Sequence, residues 1–168
     1  MKKEHHHWHS TALNRSMDLL VYGYYGRPII VFPSAQGRYY DYENNGMINS
    51  IAGSIHEGKV KVFCVDSVDS ESWFNSDISA EERVQRHHDY ERYIMDELFP
   101  FVDGHCDTAG IKAAATGSSF GAYHAINFAL KFPHRFSHVL CLSGNFDIRD
   151  HLGGEYPQDF YFNNPVTI

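Results

Sequence analysis

Apolar residues are concentrated in short runs at positions 19–22, 29–32, 60–65, 111–116 and 139–143. The last four are β-branched or small and nearly continuous. Such runs suit strands buried on both faces, as in a parallel sheet. Between them the apolar positions change to a helical spacing. Met47, Ile48, Ile51, Ala52 and Ile55 follow it, and so do Tyr90, Ile94, Leu98 and Phe101. Ser79 and Glu82 read as a capping box at the start of that second helix, because each side chain can satisfy a free backbone N–H. Pro100 is expected to end it. A third helix is predicted over Phe120–Lys131, with Ala122, Ala125, Ile126, Ala129 and Leu130 turned inward and Pro133 as its stop.

Strands and helices that alternate in this way predict an α/β fold, a mostly parallel sheet with helices on both faces. Residues 16–24 are expected to add an antiparallel edge strand that turns back through Gly26-Arg27-Pro28. The 168 residues suffice for a buried core. No repeat, low-complexity linker or shift in composition divides them, so residues 1–168 read as a single domain.

Charge narrows the class. The formal net charge is −7, and Lys and Arg do not cluster. A nucleic-acid surface needs a basic face to neutralise phosphates, so that class is excluded. No apolar run approaches the length of a membrane span. The N-terminus is charged and histidine-rich, with no apolar stretch behind it to make a signal peptide. Cys64, Cys106 and Cys141 form an odd set with no CxxC, which fits a reducing compartment. A soluble, cytoplasmic protein is the expectation.

Candidate chemistry lies at Gly117-Ser118-Ser119-Phe120-Gly121, a G-x-S-x-G sequence after a predicted strand and at the start of a predicted helix. In that context the turn is so tight that only small residues fit two places either side of the serine. Gly117 and Gly121 meet that need. The turn lifts the Ser119 hydroxyl off the strand end, and the helix N-terminus beneath favours developing negative charge. Ser118 would have Phe120 and Thr116 at the crowded places. No GxGxxG is present and no Lys follows the glycine, which argues against a phosphate-binding turn. A serine that attacks a carbonyl also needs two N–H donors for the oxyanion. Phe120, next along the chain, is one expected donor. Ala35, with Gln36 beside it, is the other, from the loop 32–37 after the first parallel strand.

These residues resemble the Putative esterase family, the group of α/β-hydrolases that includes esterase D and the mycolyltransferases. The resemblance rests on Gly117-Ser-Ser-Phe-Gly-Ala-Tyr-His-Ala125, Asn127-Phe-Ala-Leu-Lys-Phe-Pro133 and Leu142-Ser-Gly144 with Phe146-Asp147. Val31-Phe-Pro-Ser-Ala-Gln-Gly37, Val65-Asp-Ser-Val-Asp-Ser-Glu-Ser-Trp73 and Tyr161-Phe-Asn-Asn-Pro165 extend it over almost the whole chain. It implies an α/β-hydrolase-type three-layer sandwich, a serine–acid–histidine triad, small-molecule carboxylic-ester substrates and no cofactor. By motif it carries over Ser119 as nucleophile, with Phe120 and Ala35 as oxyanion donors. Family members continue past the Asn-Pro segment into strands that bear the acid and the histidine. The resemblance therefore implies a C-terminally truncated chain whose acid and base lie outside these residues. An uncovered sheet edge after residues 139–143 would favour pairing with a second copy.

Within the chain, His151 alone follows an acid in the order Ser, acid, His, with Asp147 and Asp150 ahead of it. Ser119–Asp147–His151 is thus the one internal triad to weigh. His124 sits on the elbow helix and points away. His134 and His138 belong to the wrong end of the sheet. A non-catalytic binding or regulatory module is the competing reading. His5-His-His-Trp-His9 could chelate a transition metal, but without distant partner ligands it reads as a solvated tail, so no metal site is expected. His87 and His88 read as a solvated helix face. Asp66 follows a strand at the end where α/β sheets bind ligands. Nearby Trp73, Tyr39 and Tyr40 suit either a substrate pocket or packing.

Overall fold

In the computed structural model, which describes residues 1–167, the apolar runs are strands of a six-stranded sheet. The strands are β1 Lys3–Ser10, β2 Arg15–Tyr22, β3 Arg27–Phe32, β4 Val60–Val65, β5 Ala113–Ser118 and β6 Phe136–Leu142. They lie side by side in the order β1-β2-β4-β3-β5-β6. β4, β3, β5 and β6 run parallel, while β1 and β2 are antiparallel to their neighbours. Short helices α1 Asp41–Asn44, α2 Met47–Ser50 and α3 Ala52–His56 link β3 to β4. The β4–β5 crossover holds α4 Ala80–Arg92, a π-helical segment Tyr93–Leu98 and α5 Phe99–His105. Helix α6, Phe120–Lys131, joins β5 to β6.

Successive strand residues point to opposite faces, and here both faces are buried. Leu19, Val21, Ile30, Phe32, Phe63 and Val65 pack under Tyr90, Leu98, Val102 and Phe128 from the α4–α5 and α6 side. Leu20, Tyr22, Val31, Val62 and Cys64 pack under Ile48 and Ile55 of α2 and α3. The result is the expected three-layer arrangement. β6 ends the sheet as a free edge, and its Leu140 is 60% exposed.

Several expectations need correction. The strand over 15–22 is interior, because β1 pairs along its full length and takes the edge. The histidine-rich segment is therefore not a tail. Trp8 and Ser10 donate hydrogen bonds to Glu97 at 3.1 and 2.7 Å, and the Trp8 ring stacks on Phe101. Pro100 does not stop the helix. The π-helical segment ends just before it, so the missing N–H falls in the first turn of α5, where no donor is required. On α6 Ala122 and Ala125 are buried, but Leu130 is exposed, and Tyr123, Asn127 and Phe128 fill the core instead. The Ser79–Glu82 capping box is present as expected.

Candidate active site

β5 lies between β3 and β6, and it ends in the G-x-S-x-G turn. Ser119 takes φ 56° and ψ −117°, a conformation costly to any residue with a Cβ. The glycines allow it. A Cβ on Gly117 would lie 2.3 Å from the carbonyl carbon of Gly121, and one on Gly121 would lie 2.4 Å from the Phe32 oxygen. Neither position accepts a side chain. The Ser119 N–H donates to the Leu142 carbonyl at 2.9 Å, tying the elbow to the end of β6. Ser119 stands exposed at the N-cap of α6.

The loop after β3 meets the elbow because Phe32 and Gly117 are paired across the sheet. Gly37 N–H donates to the Ser34 carbonyl at 2.9 Å, and Gln36 has φ 56°, which makes a tight turn with Ala35 and Gln36 at its apex. Among the described residues neither the Ala35 N–H nor the Phe120 N–H has a protein acceptor. For Phe120 this follows from its place in the first helical turn, whose N–H groups have no partner within the helix. A cleft of about 310 Å³ opens beside the elbow, bordered by Phe32, Pro33, Ser34, Asp41, Tyr42 and Ser118. Tyr39 and Tyr40 do not line it, and Trp73 is core, buried against Phe120 and Tyr123. A larger cleft of about 590 Å³ lies at the opposite strand ends and shares no residue with the elbow.

The internal triad is not assembled. Asp147 is gripped by Arg149, whose Nε lies 2.8 and 2.9 Å from its two oxygens. Those hydrogen bonds hold the Asp147 carboxyl down at about 2. His151 packs edge-on against Phe74 and Phe120, and burial lowers its pKa below the usual imidazole range. No hydrogen bond joins Asp147 to His151 among the described residues. His124 turns inward and meets Asp69 at 2.7 Å, both fully buried. His87, expected on a solvated face, is buried beside Trp73 and His124. Its spacing from Val84 and Tyr90 is the signal that places it on the inward stripe.

The Putative esterase family matches residues 10–164 of this sequence. The chain belongs to that family. Among solved structures it is similar to the S-formylglutathione hydrolase of Agrobacterium tumefaciens, with 15% identity and a TM-score of 0.78 over 98% of this chain and 69% of that one. It is also similar to the S-formylglutathione hydrolase of Staphylococcus aureus, with 15% identity and a TM-score of 0.69 over 98% of this chain and 68% of that one. Mycobacterium tuberculosis MPT51 is 18% identical, with a TM-score of 0.68 over 92% of this chain and 55% of that one. These likenesses establish the α/β-hydrolase fold. The chain spans about two thirds of the first two of these relatives and a smaller share of the third. No curated protein matches the sequence. No helix among the described residues is long and apolar enough to cross a membrane.

Proposed function

We propose that this esterase-family chain carries the nucleophile half of a serine carboxylic-ester hydrolase. The strained Ser119 backbone between Gly117 and Gly121 is the observation that carries the reading. Strain of this kind persists only where the surrounding structure enforces it, and it clusters at functional sites. Ser119 Oγ, exposed at the end of β5, attacks the ester carbonyl of a small molecule held at the elbow. The N–H groups of Phe120 and Ala35 hold the oxyanion of the tetrahedral intermediate. The base is a histidine supplied from outside these 168 residues, which fits the span of the relatives and the commitment of Asp147 to Arg149. Cytoplasmic location and action without a cofactor belong to the same proposal.

A fluorophosphonate probe tests it. Phosphonylation at Ser119 by peptide mapping, abolished in Ser119→Ala, is the expected outcome in a chain extended through the family's remaining strands. Labelling elsewhere, or none in a folded extended chain, would support the non-catalytic module instead.

A further inference from the structure

The histidine-rich strand has a role to fill that the elbow does not touch. Glu4 and His6 alternate on the face of β1 that meets α5, and His105 is the last residue of α5. His105 Nε2 lies 2.9 Å from Glu4 Oε2, and His6 Nε2 lies 3.5 Å from Glu4 Oε1. One ligand atom from each of the three residues falls within 4.8 Å of the other two. His6 Nε2 is buried with no hydrogen-bond partner among the described residues. As a solvated tail this segment lacked distant ligands and fixed geometry. As strand β1 it has both.

We propose that Glu4, His6 and His105 bind a divalent transition metal of the zinc class and thereby staple the edge strand β1 to α5. Two imidazoles and a carboxylate are a donor set that suits such a cation, and three protein ligands leave a position open to water. Around a metal with bonds of about 2.0–2.2 Å, ligand atoms lie about 3–4 Å apart, so the three need only small shifts. The Phe101 ring is 4.8 Å from that of His6, and Phe63 is 5.6 Å from His105. Those rings pack the two imidazoles in place.

Two cations oppose the site. Lys2 Nζ is 3.5 Å from Glu4 Oε2. Lys61 Nζ donates to His105 Nδ1 at 3.0 Å and to the His105 carbonyl at 2.9 Å. With Lys61 on Nδ1, the ring proton sits on Nε2 and points at Glu4. A metal on Nε2 moves that proton to Nδ1, which turns the Lys61 contact there repulsive and leaves Lys61 on the carbonyl. Removal of the Lys61 charge therefore tightens the site. On the other face of β1, His5 and His7 already share Asp18 Oδ1 at 2.7 and 2.9 Å, with side chains 50% and 59% exposed. That exposed pair is the internal control.

Zinc chloride titrated calorimetrically into the chelator-stripped 168-residue protein tests the site without reference to Ser119. Saturable binding is expected, weakened at least about tenfold in His6→Ala and in His105→Ala, since even partners of metal ligands contribute that much. Lys61→Met should bind more tightly, and the double variant His5→Ala, His7→Ala should bind unchanged. In the unmutated protein, zinc should shift the imidazole NMR signals of His6 and His105 and spare those of His5 and His7, which covers the case of a variant that fails to fold. No saturable binding, or binding that follows His5 and His7, would overturn the proposal.

Discussion

Arg38 lays its guanidinium along the carboxylate of Asp66, with Nε 2.9 Å from Oδ1 and Nη2 3.0 Å from Oδ2. Asp66 is fully buried directly after β4, so the pair fastens the loop after β3 to the neighbouring strand end. A second clamp, Ser34 Oγ to Asp41 Oδ2 at 2.7 Å, closes the mouth of the same loop. Ala35 lies between the two. On the proposed mechanism Arg38 positions an oxyanion donor without touching the substrate. Loss of a single donor costs about a hundredfold or more in rate. A loosened donor should cost less, so Arg38→Gln is expected to slow phosphonylation of Ser119 about tenfold in an extended, reactive chain. An unchanged labelling time course would show that the turn holds its own shape.

The elbow was legible because its demands are local. Small residues two places either side of Ser119 fit the turn, and strand and helix patterns flank it. The Arg38–Asp66 clamp was not legible, since its partners are 28 residues apart and meet only because β4 lies beside β3. The same holds for His124 and Asp69, 55 residues apart. The strand character of β1 is hidden in the sequence because its inward face carries Glu4, His6 and Trp8 rather than aliphatic residues. Its burial comes from Phe101 and Tyr93, supplied by a distant helix. The passage of the helix through Pro100 is hidden because a π-helical turn leaves no mark in apolar spacing.

The free edge at β6 makes a second prediction. An exposed strand with unpaired backbone groups is a template for another chain. Leu140 adds an apolar side chain that is 60% exposed on it. Sedimentation of the 168-residue protein should show self-association that rises with concentration, and Leu140→Lys should shift it toward monomer. A unmutated protein monomeric at every concentration would mean that the edge is protected by its own twist.

Acid should weaken a specific link beneath α6. Burial opposes charge on Glu91, but the His87 ring, 3.7 Å from its Oε2, and the Lys131 ammonium paired with the same oxygen prevail and hold its carboxyl at about 2. An unfolded glutamate titrates near the ordinary value of 4.5. The carboxylate's contribution is therefore complete above that value and is lost as pH falls toward 2. A shift of this size corresponds to about 3 kcal/mol. Burial also depresses the His87 pKa, so the unfolded chain takes up that proton first and stability falls further below the ordinary imidazole value of 6.5. Glu91→Gln should lower the melting temperature strongly at pH 7 and little at pH 2.5. An equal drop at both would assign the loss to packing.

Strain at the nucleophile separates stability from chemistry. Ser119 holds φ 56°, ψ −117° as a residue with a Cβ, and only glycine adopts such a conformation freely. Ser119→Ala removes the hydroxyl and keeps the strain. Ser119→Gly removes both, offset in part by the greater freedom of glycine in the unfolded chain. Both variants should be dead to the phosphonate probe. Ser119→Gly should be more stable than Ser119→Ala by about 1 kcal/mol, or about 2–4 °C in melting temperature for a domain of this size. Gly117→Ala runs the logic in reverse, because its methyl group would meet the Gly121 backbone at 2.3 Å. It should lose about 1–3 kcal/mol, the usual cost of overpacking. If alanine and glycine at position 119 melt together, the elbow is not strained, and the main support for Ser119 as nucleophile falls with it.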